Sequence, residues 1–456
     1  MPFPSDFTWG AASSAYQVEG AADTDGRGPS IWDAFCRVPG ATFRGHTGDV
    51  ACDHYHRFRG DVGLMKTIGL QAYRFSISWS RVIPGGTGSP NEKGLAFYDA
   101  LVDELLAAGI APWVTLFHWD LPLALQHRGG WLNRDIAGWF GDYTRLVVDR
   151  LSDRVTRWIT INEPQIFVPF GHGDGTHAPR TKLPMADRLL AGHHALLAHG
   201  RAVSVIRERA TLPPMIGWAP IGRARIPATE APEDLAAARE ATLGVLHKDF
   251  WNNTWFADPV CLGRYPEDGL RLFGADAPAA RPGDMEQIRQ PLDFYGLNIY
   301  DAELYRRGAD GAPERVDFPV GHPQTAIRWF IAPEALRWGP QFLYERYKVP
   351  IVITENGLSN VDWVGLDGRV DDPQRIDYTR RYLLALERAI EGGTDIRGYF
   401  HWSIMDNFEW QEGYKERFGL IHVDFATQRR TLKESAHWYR GVIQSNGQSL
   451  KRTARA

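Results

Sequence analysis

Cysteine is scarce in this chain: Cys36, Cys52 and Cys261 are the three among 456 residues. An odd, sparse set argues against a disulfide framework, and no pair has the short spacing of a zinc site. An excess of one charge is also missing, with 51 basic against 55 acidic residues and a formal net charge of -4. That balance leaves no electrostatic footprint for nucleic acid. No apolar run of about 18 residues occurs, so no membrane span is expected. Met1 to Asp6 lack a basic patch followed by an apolar run, so they do not read as a signal peptide. The expectation is a cytoplasmic protein. Asn252-Asn253-Thr254 is then a glycosylation triplet by chance.

Tryptophan is abundant, with 17 residues in a chain that is 12% aromatic and 44% apolar. A compact fold of this length buries roughly 75% of its extended surface. Trp rarely vanishes completely into a core, and it is costly to leave idle outside one. The Trp load therefore asks for a use.

Short apolar runs at 70–77, 110–117, 155–161, 215–219, 292–297, 351–354 and 396–402 read as strands, with a first near 7–12. Helical spacing fills the gaps. Phe97, Leu101, Val102, Leu105 and Leu106 make one face, and Tyr378, Tyr382, Leu383, Leu386 and Ile390 another. Further helices are expected over 183–210 and 231–250. Strands separated by helices imply parallel pairing through crossovers. Eight of them predict an α/β fold, a single (β/α)8 (TIM) barrel with extended loops at its C-terminal face. Residues 1–448 form that one domain, and 449–456 a polar tail. The stretches 39–48 and 301–322 read as excursions on the rim. His118, Glu163, Asn298, Glu355 and Trp402 all fall at or just past strand ends, which a closed barrel gathers at one mouth.

Two carboxylates stand out there. Glu163, in Asn162-Glu163-Pro164, ends the fourth strand, and Pro164 biases it toward extended backbone. Glu355, in Thr354-Glu355-Asn356-Gly357, ends the seventh. Glycoside hydrolysis needs such a pair, one protonated for the leaving oxygen and one ionised as nucleophile or base. Composition does not say which is which. Arg74, among apolar neighbours in the second strand, calls for a buried carboxylate partner. Beside the nucleophile it would keep that group ionised. Tyr300 is placed to donate its hydroxyl to the same carboxylate.

A sugar offers hydroxyls on its edges and an apolar C–H face, so its site wants amides and carboxylates above an aromatic plate. Gln17, His118, Asn162, Glu409, Trp402 and Trp410 supply that mixture. Trp79, Trp139, Trp158 and Trp255 are assigned to packing. His54 and His56 share no helix face, and His193, His194 and His199 have no carboxylate at matching spacing, so no metal is expected. The Gly clusters at 85–86 and 171–175 lack a phosphate-loop context, and no G-x-S-x-G elbow appears.

The blocks around these residues resemble glycoside hydrolase family 1, in particular its bacterial β-glucosidases. They are Gln17-Val18-Glu19-Gly20, Tyr73 to Arg81, Phe117-His118-Trp119-Asp120-Leu121-Pro122, Asn162-Glu163-Pro164, Thr354-Glu355-Asn356-Gly357 and Trp402 to Trp410, in family order. The resemblance implies a retaining mechanism with Glu163 as general acid/base and Glu355 as nucleophile, and carboxyl groups about 5 to 5.5 Å apart. It implies that Gln17, His118, Asn162, Glu409 and Trp410 hold the sugar hydroxyls, with Asn162 on the 2-hydroxyl and Trp402 as the stacking platform. By the same carry-over Asn298 and Tyr300 match an Asn-x-Tyr, with Tyr300 and Arg74 orienting Glu355. Trp329 matches an aglycone-side Trp, and Phe418 lies near the sugar.

The pair Glu409-Trp410 resembles the non-phosphorylated type, and Glu rather than Gln at 163 favours an O-glycosidase. Arg180 departs from the usual Gly, in a rim loop that could alter the aglycone entrance. Ile299 stands where many relatives carry Tyr. The implied activity is removal of terminal non-reducing β-D-glucosyl residues from small β-glucosides or cello-oligosaccharides, as in cellulose degradation, with no cofactor. The alternative is a broad-specificity β-glycosidase acting on galactosides and fucosides. An inverting glycanase would set its carboxylates farther apart, and a sugar-binding scaffold would need neither Glu. Monomer and homo-oligomer stay equally open.

Overall fold

The computed structural model describes residues 3–451. Eight strands alternate with helices: β1 Thr8–Ala12, β2 Ala72–Ser76, β3 Ala111–Phe117, β4 Arg157–Asn162, β5 Met215–Ala219, β6 Tyr295–Asn298, β7 Ile351–Asn356 and β8 Ile396–Trp402. They hydrogen-bond in the order β5-β4-β3-β2-β1-β8-β7-β6, and every ladder is parallel. Both faces are covered, the outer by helices and the inner by the barrel's own side chains, so the strands read as unbroken apolar runs. All five residues of β2 are buried.

β5 and β6 complete the ring at and beyond their ends. At the bottom Asp293 N donates to Ile216 O at 2.8 Å, and at the top Gly222 N donates to Asn298 O at 2.9 Å. Gly217 permits this approach, because a Cβ there would lie 2.4 Å from the Phe294 ring. The lower interior is an aromatic plug. Trp113 meets Phe400 edge-on at 4.9 Å and Phe294 at 5.2 Å. Gly10 makes room for Phe400, whose ring would sit 2.5 Å from any Cβ. The barrel is therefore a packed core with one open end.

The outer helices follow their spacing. Ile136–Leu151 buries Phe140, Tyr143, Thr144, Val147, Val148 and Leu151 on one stripe and packs beside Met185–Arg209. The C-terminal helix Glu434–Gln444 returns to the start of the chain, where Tyr439 donates to Gly10 O at 2.9 Å.

Several expectations need correction. The helix expected over 231–250 is Pro232–Leu243, ending where Gly244 turns to extended backbone. The 301–322 excursion is partly regular: Ala302–Arg307 pairs with Ala224–Pro227 on one side and Pro313–Val316 on the other. A polar tail from 449 is also too early. Gln448–Lys451 form a 3-10 turn with Leu450 fully buried, and 452–456 lie outside the described residues. No described helix is long and apolar enough to cross a membrane.

Candidate active site

The open end of the barrel leads into a cavity of about 350 Å³. Strand ends supply its chemistry. Glu355 lies in β7, Asn298 ends β6, Trp402 ends β8 and His118 follows β3; all four line the cavity with Glu163.

Glu163 is placed differently from expectation. β4 ends at Asn162, and Glu163 takes left-handed backbone at φ 46°, ψ 66°, not extended. Its N–H still bonds Ala219 O of β5 at 2.8 Å, while its carbonyl already accepts from Ile166 N. Pro164 opens the helix Pro164–Pro169 at once, so the chain must turn within one residue. Such strain in a non-glycine residue is commonest at functional sites.

The two carboxylates have unequal partners. Arg74 is fully buried and donates from Nη1 to Glu355 Oε1 at 2.6 Å, and Tyr300 donates to Oε2 at 2.7 Å. Burial raises the pKa of Glu355, and Arg74 and Tyr300 pull it back in part. Among the described residues, the carboxyl of Glu163 has only the neutral amide of Asn298 as a hydrogen-bond partner, at 2.8 Å. Burial, then the charge of Glu355, drive its pKa well above the carboxylate range. The unequal partners therefore favour the proton on Glu163 over Glu355.

One chain of hydrogen bonds ties the pair together. Asn162 Oδ1 accepts from Arg74 Nη2 at 2.7 Å and from Asn298 Nδ2 at 3.0 Å. Its Nδ2 then faces His118 Nε2 at 3.2 Å. Because that nitrogen must accept, the proton of the neutral imidazole is assigned to Nδ1, which has no partner among the described residues. Burial, then Arg74, hold the pKa of His118 well below normal. The result is a buried N–H donor with spare capacity at the cavity wall.

Gln17 donates to Glu409 Oε2 at 3.2 Å and accepts from Ser14 at 2.6 Å. Burial, then Glu355, push the pKa of Glu409 well up. Trp402 lies nearly parallel to His118, with ring centres 5.7 Å apart. Trp410 packs on Trp119 at 4.6 Å, and Trp329 meets Tyr300 at 5.0 Å and Phe418 at 6.0 Å. The sequence-named residues thus converge on one place. Glu163, Glu355, His118, Asn298, Tyr300, Trp329, Trp402, Glu409, Trp410 and Phe418 line the cavity, and Gln17, Asn162 and Arg74 hydrogen-bond directly to them.

Sequence reasoning missed some of the wall. Trp119, Phe170, His177, Arg223, Trp251 and Asp301 also line it. Asp301 lies just beyond β6, so the strand-end argument could have found it. Arg180 is exposed at φ 64°, and its N–H bonds the carbonyl of His177 at 2.9 Å. Away from the cavity, Trp79, Trp158 and Trp255 are buried, but Trp363 is 70% exposed. His193 does have a carboxylate partner, Asp284 at 2.9 Å, supplied by a distant segment. His54 bonds Asp61 at 2.8 Å.

The arrangement matches known enzymes. Residues 1–448 match the model of glycosyl hydrolase family 1. β-Glucosidase A of Thermotoga maritima is 44% identical over 98% of both chains. The 1,4-β-D-glucan glucohydrolase of Thermotoga neapolitana is 44% identical over 98% of this chain and 99% of its own. Among solved structures, the Thermotoga maritima β-glucosidase in complex with glucoimidazole superposes with a TM-score of 0.90, at 43% identity, covering 98% of this chain and 99% of that one. On these grounds the chain belongs to glycosyl hydrolase family 1.

Proposed function

We propose that this chain is a retaining, exo-acting β-glucosidase in which Glu355 is the nucleophile and Glu163 the general acid/base. The carrying observation is the asymmetry of partners. Glu355 has a guanidinium and a phenol, whereas Glu163 has one amide and a strained backbone. Glu355 attacks the anomeric carbon as Glu163 protonates the departing oxygen. This yields a glycosyl ester on Glu355 and a free aglycone. With the charge of Glu355 gone, the proton affinity of Glu163 falls, and it takes a proton from the incoming water. Water's oxygen bonds the anomeric carbon from the face the aglycone left, Glu355 departs as carboxylate, and configuration is retained.

His118, Asn162, Gln17, Glu409 and Trp410 hold the hydroxyls of the glycone, and Trp402 stacks on its C–H face. Asn298 fixes Glu163, Trp329 borders the leaving group, and Phe418 lies near the sugar. Substrates are small β-glucosides or cello-oligosaccharides. We treat 1–448 as one catalytic domain, since the last long helix packs onto β1. The three thiols are free, in keeping with a cytoplasmic setting. Hydrolysis of an aryl β-glucoside followed by proton NMR, with E355A as control, tests the reading. Inversion, or activity unaffected in E355A, would overturn it. A parallel rate series with β-galactoside and β-fucoside separates it from a broad β-glycosidase.

A further inference from the structure

Tyr300 gives its hydroxyl to Glu355, yet its own backbone stands outside the barrel ladder. β6 ends at Asn298, and Ile299 N still bonds the carbonyl of Glu355 at 3.0 Å. The next paired strand starts at Ala302. The carbonyl of Tyr300 therefore needs a partner from elsewhere, because a backbone oxygen is costly to leave unpaired inside a fold. Two side chains supply it. Tyr378 and Tyr382 both donate their hydroxyls to that one carbonyl, at 2.9 and 2.8 Å.

Both come from the helix Pro373–Glu391, which connects β7 to β8. They are four positions apart, so one helix face presents them together. Their rings stack at 4.0 Å, and both are sealed from water. Each hydroxyl also accepts from a nitrogen. Asn356 Nδ2 reaches Tyr378 at 3.2 Å, and Ala332 N reaches Tyr382 at 2.8 Å. A hydroxyl has one proton, and with an N–H already on the oxygen that proton is aimed at the Tyr300 carbonyl. Asn356 follows Glu355 directly and also donates to Ile299 O at 2.7 Å. Burial raises both phenol pKa values, so these groups stay neutral and act by geometry. Phe would fill the same volume, so packing alone does not call for two hydroxyls here.

We infer that Tyr378 and Tyr382 are positioning residues for the nucleophile: by clamping the Tyr300 carbonyl they hold the Tyr300 hydroxyl on Glu355. The ring of Tyr300 otherwise rests on Trp329 and Phe418. Its hydroxyl lies at the end of a long lever, so a small turn of the backbone is magnified there, and hydrogen bonds weaken steeply off axis. Glu355 is faced by Arg74 from β2, Tyr300 beyond β6, Glu163 beyond β4 and Glu409 beyond β8. Of these four, Tyr300 is the one that Tyr378 and Tyr382 hydrogen-bond among the described residues. The inference rests on the proposed role of Glu355 as nucleophile and adds what holds its donor in place.

The test is the pH profile of kcat/KM on 4-nitrophenyl β-glucoside for Y378F, Y382F and the double variant, each made also in a Y300F background. Phe keeps the rings and their stacking. Loosening Tyr300 weakens a bond that favours ionised Glu355, so its pKa rises and the acid limb moves to higher pH. The expected shift in the double variant is about 0.5 pH unit, which is a loss of about threefold in kcat/KM below the limb. In the Y300F background the same substitutions should move the limb no further, because the hydroxyl they position is gone. A limb unmoved by the double variant, or a shift as large in the Y300F background, would overturn the inference and leave the pair a structural brace. The single variants carry the same two criteria should the double one fail to fold. Failure of the underlying reading looks different: Y300F itself would then leave the limb in place, and the inference would fall with it.

Discussion

Two buried charge clusters in this molecule contain similar groups in opposite balance. Behind β7 and β8, Arg375 and Lys433 meet Asp362 and Asp406 with all four side chains sealed from water: Arg375 and Lys433 reach Asp362 at 2.7 and 2.6 Å, and Lys433 reaches Asp406 at 2.7 Å. Arg417 adds a further contact to Asp406 at 2.6 Å, and Asp372 pairs with Arg375, so three carboxylates face three cations. Burial would raise both carboxyl pKa values, but Lys433 and its neighbours outweigh it and hold them low. At the mouth, Arg74 is the cation in contact with Glu355, while Glu163 and Glu409 have no ion-pair partner among the described residues. There burial prevails and all three carboxyl pKa values are raised. Matched charge makes a brace, and a surplus of carboxylate makes a proton store.

The comparison is broken most severely at Glu355. E355A should lower kcat on aryl β-glucoside by on the order of 10⁴-fold or more, because the covalent route is lost. E163Q should cost about 10² to 10⁴-fold on substrates whose leaving group needs a proton. The loss should be smaller for activated phenols, and steady-state rates on the two kinds of substrate measure the gap.

D362A tests the brace. Leaving Arg375 and Lys433 short of a buried partner should cost about 3 to 5 kcal/mol in denaturant unfolding, with kcat of the folded fraction unchanged. The smallest effect sharpens the site. The acid limb of kcat/KM reports ionisation of Glu355, and the alkaline limb reports loss of the Glu163 proton. Y300F removes a hydrogen bond that favours ionised Glu355, so the pKa rises and the acid limb moves to higher pH. A limb that stays put, or moves to lower pH, would contradict the role given to Tyr300.

Much of this was legible in the residues. The barrel strands were readable because parallel strands buried on both faces leave apolar runs such as β3. Arg74 announced its partner, since an Arg in such a run must be paired. Other features arise from the chain meeting itself at a distance. The left-handed turn at Glu163 follows from holding β5 while entering a helix, which local preference before proline argues against. His193 finds Asp284 91 positions away. Arg223 and Asp301 belong to two segments brought together by barrel closure, and neither carries a motif of its own. Trp251 likewise lines the cavity from an irregular stretch, just past the helix expected over 231–250.

The central claim is that a charged Glu355 and a protonated Glu163 divide the work of one double displacement. Proton NMR of the first glucose released from an aryl β-glucoside, read before mutarotation, tests it most directly. The β-anomer, appearing ahead of the α-anomer, is the predicted result. Release of α-glucose first would contradict the account.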